Sequence, residues 1–192
     1  MKKIVIVSIA ALMASSFAFK IADTTWTLDK AHAKLGFTIT HLMVSDVEGS
    51  FKSFDAKVIA SREDFSDAVA EMTADVNSIN TDNEQRDKHL KSADFFDAAK
   101  YPIITFKSKT FKKVSDKSFK VTGNFTMHGI TKTIDLDATY RVGINPMNKQ
   151  AITGFKITGV VKRSDFGIGT SMASNLLGEE VTIVANTEFV KK

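Results

Sequence analysis

The sequence predicts an all-β protein: a single antiparallel barrel of eight strands, with a short helical insertion near residues 82–100. Apolar and polar residues alternate along most of the chain, and this period of two places neighbouring side chains on opposite faces of a strand. The alternating segments follow one another through hairpin-like turns, whereas a parallel sheet needs crossover helices. These observations together favour a closed or nearly closed barrel.

Residues 1–18 have the order of a cleaved export signal. Two lysines lead into the apolar stretch 4–13, and Ser16 and Ala18 form a small-x-small cleavage site. The apolar stretch is shorter than the roughly twenty residues of a membrane span. We therefore expect cleavage after Ala18, a periplasmic location, and a mature domain of residues 19–192 without a transmembrane segment. The alternative is a buried N-terminal strand or helix.

The strands are predicted from the alternation itself. In residues 119–127, Phe119 and Phe125 lie on an apolar face, and lysine, threonine and asparagine lie on the other. The turn signal His128-Gly129 follows, and then a second alternating segment, so the two segments predict a hairpin. The alternating segments are residues 24–28, 34–40, 49–60, 68–77, 103–114, 119–127, 130–142, 152–163 and 180–190.

Two connections interrupt the strands. Thr81 and Glu84 have capping-box spacing, which predicts a short helix over residues 82–92. A second turn follows over residues 94–100 and ends before Pro102.

The other connection is the segment from Ser164 to Gly178, which is longer than an ordinary hairpin loop and is predicted to be a functional rim loop. Neither connection has the composition of a linker between domains. The sequence therefore predicts one domain.

The interior of such a barrel can be filled or can hold one small ligand, and residue size decides which. The chain has 15 phenylalanines but only two tyrosines and one tryptophan, so its aromatic surface has few polar tips and suits an aliphatic ligand. Phenylalanines such as Phe95 and Phe96 could equally plug the barrel, and alternation alone leaves both interpretations open. The small residues at predicted inward positions are Ala68, Ala70, Ala74, Gly123, Ala138, Gly159 and Ala185.

Other chemistries find little support in the sequence. The net charge of +4 is too mild to favour nucleic acid, and without cysteine the fold must be stabilised by packing and hydrogen bonds. The pair Asp135 and Asp137 is explained by the polar face of a strand, and no nucleophile elbow is present. The histidines lack metal-ligand spacing. We predict neither a catalytic site nor a metal site. The histidines are His32, His41, His89 and His128.

Several ordered motifs resemble the YceI-like family of polyisoprenoid-binding proteins. The most specific is Arg86-Asp87-Lys88-His89-Leu90-Lys91-Ser92-Ala93-Asp94-Phe95-Phe96-Asp97, which resembles the central signature of the family. The resemblance covers essentially all of residues 19–192. The further matching segments are residues 26–29, 36–42, 47–51, 101–106, 123–132 and 163–167.

This resemblance implies a lipocalin-like barrel whose apolar channel holds the isoprenoid chain of a quinone or polyprenyl compound, or a fatty-acid derivative. No cofactor other than the bound lipid is implied. By transfer, the channel lining would include Phe37, Ile39, Phe51, Phe54, Met72, Val76, Leu90, Phe95, Phe106, Phe125 and Phe166. A polar end for the head group is expected where the two non-hairpin connections form a rim, at Arg86, His89, Arg163 or Asp165.

The leading hypothesis is therefore a periplasmic lipid-binding or carrier protein rather than an enzyme. Two alternatives stay open: an enzyme acting on an isoprenoid or fatty-amide substrate, and a stress-protective structural module with a filled barrel. The sequence leaves the lipid, its delivery partner and the oligomeric state open, with a homodimer among the states considered.

Overall fold

A computed structural model describes residues 23–192 of the chain. The predicted export signal, residues 1–18, lies outside these residues. Residues 23–192 form ten strands and one α-helix. The strands are β1 Thr24–His41, β2 Ser45–Phe51, β3 Phe54–Ala60, β4 Val69–Asp75, β5 Ile79–Asn80, β6 Ile103–Ser115, β7 Ser118–Met127, β8 Ile130–Ile144, β9 Ala151–Lys162 and β10 Leu177–Lys191, and the helix is α1 Glu84–Leu90.

The ten strands make a closed antiparallel barrel, as the alternation predicts. They occupy eight positions around its circumference, and we call each position a stave. Both β2 and β3 pair with β1, at its C-terminal and N-terminal halves respectively, so these two short strands form one broken stave. Likewise β4 and β5 form one stave, which pairs with β3 and β2. The remaining strands follow in chain order, and β10 returns to pair with β1 and closes the barrel.

The first stave differs from the sequence-based expectation. Residues 24–28 and 34–40 were expected as separate strands, but both belong to the single strand β1, which has a register shift between Asp29 and Lys34. The irregularity disturbs the alternation without ending the strand, since both halves still pair with β10. The broken alternation therefore indicates a bulge rather than a turn.

The helical insertion is shorter than predicted and is capped by a different residue. Helix α1 begins at Glu84 because the Asn83 side chain accepts a hydrogen bond from the Arg86 N–H at 2.9 Å. Thr81 was the predicted cap, but its hydroxyl donates to Asp87 Oδ1 at 2.6 Å. Turns follow α1 as far as residue 100. None of the helices formed by residues 23–192 is long and apolar enough to cross a membrane.

The two ends of the barrel are covered differently. The loop between β3 and β4 inserts Phe65, which is 1% exposed, between the strand ends. Its ring lies 5.4 Å from Trp26 and 5.3 Å from both Tyr140 and Phe155. We call this the closed end. Helix α1, the turns after it and the loop between β9 and β10 cover the opposite end, which we call the open end.

Candidate functional site

A cavity of about 340 Å³ occupies the open end of the barrel. Its walls come from strands of the barrel, its rim from α1 and from the loop between β9 and β10. His89 and Leu176 border the cavity and are both substantially exposed, so the cavity reaches the protein surface beside them. The volume falls in the range of about 300–1,000 Å³ that small-molecule sites have.

Seven of the predicted channel residues lie against this cavity. They come from β1, β2, β4, β7, α1 and the turns after α1, so distant parts of the chain meet at one site. These residues are Phe37, Ile39, Phe51, Met72, Leu90, Phe95 and Phe125. Further apolar lining was not predicted, although the alternation of β10 already indicated the inward positions Val181 and Ile183. The additional lining residues include Leu35, Val47, Phe96, Ile104, Met127, Val161, Ile168, Met172, Leu176, Leu177, Val181 and Ile183.

A second, smaller apolar space of about 90 Å³ lies deeper in the barrel. Two predicted channel residues, Phe54 and Phe106, line this inner space rather than the main cavity. The two spaces share part of their walls, and the inner one extends to Phe155 and Phe189 near the closed end. The apolar lining is therefore continuous from the mouth of the cavity towards Phe65 and its aromatic neighbours at the closed end. The shared residues are Leu35, Met72, Phe125 and Ile183.

Two predicted channel residues line neither space. Val76 and Phe166 are each 1% exposed and belong to the packed core. Val76, which the family resemblance assigned to the channel, begins a 3-10 turn after β4 and packs into the core instead. Phe166 packs edge-on against Phe125 with ring centroids 5.5 Å apart, so it supports the cavity wall from behind.

Two of the small residues at predicted inward positions, Gly123 and Gly159, create less free space than their size suggests, whereas Ala70, Ala138 and Ala185 line the inner space. A Cβ built on Gly123 would lie 2.4 Å from the Phe106 ring, and one built on Gly159 would lie 2.3 Å from Leu136. Gly49 accommodates the Phe37 ring in the same way, at 2.3 Å. These glycines hold the side chains of neighbouring strands, and the cavity lies instead beneath the elements that cover the open end.

Arg163, a predicted head-group residue, lines the cavity, but its side chain forms its hydrogen bonds within the protein. Its side chain is 3% exposed and makes an ion pair of 2.7 Å with Glu179. Its guanidinium group also donates to five backbone carbonyls, which joins both ends of the β9–β10 loop to one buried cation. The carbonyls are those of Ile168, Gly169, Met172, Leu177 and Gly178. Asp165 is exposed and does not line the cavity.

The other two predicted polar residues lie at the mouth on α1. Arg86 is exposed and donates from Nε to the Thr81 hydroxyl and from Nη2 to the Thr81 carbonyl, both at 2.7 Å. Asp87, which is buried, accepts hydrogen bonds from the Thr81 N–H and hydroxyl and so fixes the start of α1. His89 packs against Phe95 with ring centroids 4.9 Å apart. Arg86 and His89 thus present polar atoms beside an apolar opening.

The histidines are not gathered into one centre. His41 and His89 border the cavity, whereas the His128 ring nitrogen Nδ1 lies 2.9 Å from the Phe166 carbonyl. His32 lies with Asp29 and Glu188 at an exposed position, the one group of three potential ligands within residues 23–192. A hydrogen bond with Asp29 raises the pKa of His32, which accounts for this arrangement as an ion pair.

Comparison with known proteins agrees with this architecture. A family model described as the YceI-like domain matches residues 26–189, so the chain belongs to the YceI-like family and the resemblance of its motifs is confirmed. The UPF0312 protein of Staphylococcus aureus strain MSSA476 is 42% identical over 171 residues, which cover 86% of this chain and 97% of that protein.

Solved structures share the fold. A crystal structure of the Campylobacter jejuni YceI protein has a TM-score of 0.71 and 35% identity, covering 86% of this chain and 97% of that one. BcnA of Burkholderia cenocepacia has a TM-score of 0.75 and 27% identity, covering 84% and 98%. A polyisoprenoid binding domain from Saccharophagus degradans has a TM-score of 0.63 and 16% identity, covering 87% and 98%, and is similar in fold.

Proposed function

We propose that this protein binds one long apolar lipid in the barrel, with the chain in the cavity and the head group at the mouth. The observation that carries the proposal is the cavity of about 340 Å³, which is apolar in its walls and open beside α1, in a barrel whose other end is closed by Phe65 and its aromatic neighbours. Lipids with an isoprenoid chain, such as a quinone or polyprenyl compound, are the preferred class, and fatty-acid derivatives are the second.

The binding energy should come from the chain. Transfer of apolar groups from water contributes roughly 0.8 kcal/mol per methylene-sized group in the ideal limit. Ordering a flexible chain and imperfect packing reduce the return to about 0.3 kcal/mol per heavy atom for large ligands. Affinity should therefore rise with chain length until the main cavity and the inner space are full, and then stop rising.

Arg86 and His89 are the groups that we assign to the head group. Both border the cavity at its mouth, and both are exposed, so they can meet a polar group without a large desolvation cost. Arg163 is not assigned this role because its donors already bond to backbone carbonyls and Glu179. Substitutions of Arg86 or His89 should change head-group preference more than chain-length preference.

Binding rather than catalysis is the role that the site favours. Of the polar residues that border the cavity, Thr81 and Arg163 are engaged in hydrogen bonds that hold α1 and the β9–β10 loop, and the exposed residues His41, Arg86 and His89 lie at the mouth. The similarity in fold to the polyisoprenoid binding domain from Saccharophagus degradans also favours binding. The lipid would then be cargo and not a cofactor of a reaction.

Organic extraction of protein purified from its native cells, followed by mass spectrometry of the extract, tests whether a lipid is carried. The delipidated protein is then titrated with isoprenoids of increasing length. Affinity should increase with length and reach a plateau. An empty extract together with length-independent binding would show that the lipid is not held in this cavity.

Phe125→Arg is the variant that tests the location of the lipid. Phe125 lines both spaces, and a cation cannot be desolvated cheaply against a lipid tail, so binding should be lost. Lys120→Gln on the same strand is the matched control, because Lys120 pairs with Asp137 outside the barrel. Circular dichroism confirms that each variant is folded. Undiminished binding by a folded Phe125→Arg protein would place the lipid elsewhere.

We also propose that the protein is exported to the periplasm and cleaved after Ala18, on the pattern of residues 1–18. Cell fractionation and N-terminal sequencing should find a periplasmic chain that begins at Phe19. A cytoplasmic form that still begins at Met1 would overturn the proposal.

A further inference from the structure

The length of chain that the barrel can hold is limited by two spaces of unequal size. An engineered apolar cavity of about 150 Å³ binds benzene, so a space of this kind holds about one carbon atom per 25 Å³. By this measure the main cavity of about 340 Å³ holds about 14 carbon atoms, and the inner space of about 90 Å³ holds about three or four more. The two spaces together therefore suit a chain of about 17 carbon atoms.

The boundary between the two spaces contains a side chain that can move. Leu35, Met72, Phe125 and Ile183 line both spaces and come from four different strands. Leu35 and Phe125 are buried, whereas Met72 is half-buried. An unbranched methionine adapts to irregular gaps through its rotatable bonds. A chain that has filled the main cavity can therefore reach the inner space past Met72.

The inner space exists because alanines occur where the strands face the interior. Ala56, Ala70, Ala138 and Ala185 line it and come from β3, β4, β8 and β10, whereas no alanine of residues 23–192 lines the main cavity. An empty space of this kind forfeits the contacts that a larger side chain would make. Leucine is larger than alanine by an isopropyl group, which is about the size of the inner space. One such substitution is therefore enough to fill it.

The surroundings of the inner space favour an apolar chain end. Of its polar residues, Lys57 and Glu71 pair with each other at 2.8 Å at the outer surface, and the Thr187 hydroxyl donates to the Phe155 carbonyl at 3.2 Å. A hydroxyl group at the chain end would give up its hydrogen bonds with water on entering this space, which is costly. The end that enters is therefore apolar, and the polar head group stays at the mouth.

We propose that the inner space receives the far end of the lipid chain and that the four alanines around it limit the chain to about 17 carbon atoms. The ligand class is then a lipid with one polar end and an apolar chain of about 15–18 carbon atoms, such as a compound of about three isoprene units or a fatty acid. A longer polyprenyl chain would leave its excess outside the mouth. This inference rests on the proposed lipid-binding function and gives its size class.

The test is equilibrium dialysis of the delipidated protein against saturated fatty acids of about 10 to 20 carbon atoms, each below its micelle concentration. Native affinity should rise about fivefold between about 14 and 17 carbon atoms and then level off. Ala138→Leu and Ala70→Leu, which fill the inner space from two different strands, should level off at about 14. Acids of about 12 carbon atoms or fewer do not reach the inner space, so they should bind the native protein and both variants equally, which also shows that the variants are folded.

Thr139→Leu is the matched control, because Thr139 is the exposed neighbour of Ala138 on β8. Its affinity should level off at the native length. Ile134→Ala removes apolar bulk from the lining of the inner space and should extend the rise to about 20 carbon atoms. Opposite shifts in Ala138→Leu and Ile134→Ala cannot both result from loss of stability.

The chemistry of the chain end is measured with an ω-hydroxylated acid of about 16 carbon atoms, which should bind at least about tenfold more weakly than its parent acid. Equal binding of the two acids would show that the chain end does not enter the inner space, and would overturn the inference. So would inner-space variants that level off at the native length while native affinity still rises with chain length, and lipid binding itself would then stand. A native protein that binds acids of no length would refute the proposed lipid-binding function and this inference together.

Discussion

The two ends of the barrel are lined by the same kinds of side chain, yet one is filled and the other is hollow. At the closed end the β3–β4 loop sends Phe65 inward, against Tyr140 and Phe155. At the open end α1 and the β9–β10 loop cover the strand ends and leave a cavity of about 340 Å³. Whether this barrel is hollow is therefore decided by its loops and not by its strands.

The phenylalanines at the two ends therefore have different roles. Phe65 is fully buried against its aromatic neighbours, so its ring has no free surface for a ligand. Phe96 contacts Phe51 with ring centroids 6.0 Å apart but also faces the cavity and is only half-buried. Truncating the first ring should therefore create a new void, whereas truncating the second should enlarge an existing one.

The largest effect is expected from Phe65→Ala. Removal of a buried phenylalanine ring destabilises by about 3–5 kcal/mol, since the lost transfer energy adds to that of the cavity left behind. Phe96→Ala should lower the free energy of unfolding by less than about 2 kcal/mol, because that ring already faces empty space. Urea unfolding of both variants measures the difference. Equal losses would mean that the open end is packed as tightly as the closed end.

The strand pattern allowed much of this architecture to be predicted, because burial on one face of a strand forces a period of two. The alternation of residues 119–127 placed Phe125 on the apolar face for that reason, whereas Phe37 was assigned to the channel through the family resemblance. The inward position of Phe65 could not be predicted from the sequence. Phe65 lies in a loop and has a left-handed φ of +58°, and no periodic signal marks a loop residue that faces inward. Val76 and Phe166, which the family resemblance assigned to the channel, lie in 3-10 turns, where strand alternation does not indicate which way a side chain faces.

The polar side chains of the site could be predicted less well, because sequence shows residue type but not hydrogen-bond partners. Arg86 and Arg163 both suggested a polar rim, but only Arg86 is exposed there. Thr81 was the predicted cap for α1, but Asn83 makes the capping hydrogen bond. Glycines at inward positions suggested free space inside the barrel, but the Phe106 ring occupies the space beside Gly123. Each of these outcomes depends on contacts between residues far apart in sequence.

The second prediction concerns the loop that keeps the open end hollow. Arg163→Lys retains the charge but loses the planar fork, so several carbonyls of the β9–β10 loop lose their donor. Unsatisfied buried groups destabilise by about 1–3 kcal/mol each, and we expect a total loss of about 2–3 kcal/mol after the loop relaxes. Faster amide exchange over residues 164–178 should accompany it. Arg141→Lys, at an exposed arginine, is the control and should change neither measurement.

If Arg163→Lys left the exchange of the β9–β10 loop unchanged, the loop would be held by its apolar contacts, and the two ends would differ less than their geometry suggests.

A smaller effect is expected from the cap of α1. Asn83→Ala removes the side-chain acceptor for the Arg86 N–H and should destabilise the helix by about 1 kcal/mol. Because α1 forms part of the mouth, the bound lipid should dissociate faster while the closed end is unaffected. Asn83→Asp restores an acceptor and should restore the native dissociation rate. Stopped-flow displacement of a fluorescent lipid measures these rates. Equal rates in all three proteins would show that α1 does not control release.

The smallest effect should come from the outer surface, which is common to both ends. Glu71 on β4 makes ion pairs of 2.8 Å with both Lys57 and Lys107. Hydrogen bonds from Lys107 and then Lys57 lower the pKa of Glu71 from 4.5 to about 2. A lowered pKa in the folded state stabilises the fold above the unfolded-state value, and this contribution is lost as the pH falls from 4.5 towards 2.

Glu71→Gln should therefore be slightly less stable than the native protein at neutral pH, and the two stability curves should converge as the pH falls to about 2. Added salt should shrink the difference at neutral pH, because the three side chains are solvent-accessible and their attraction is screened. Lipid uptake should not change, since Lys57 and Lys107 hold the Glu71 carboxylate at the outer surface, although residue 71 borders the inner space between Ala70 and Met72. Thermal unfolding across pH, with and without salt, measures the first two effects. A stability difference that grew on acidification, or a change in lipid uptake, would contradict the division between an apolar interior that binds and a charged exterior that only joins strands.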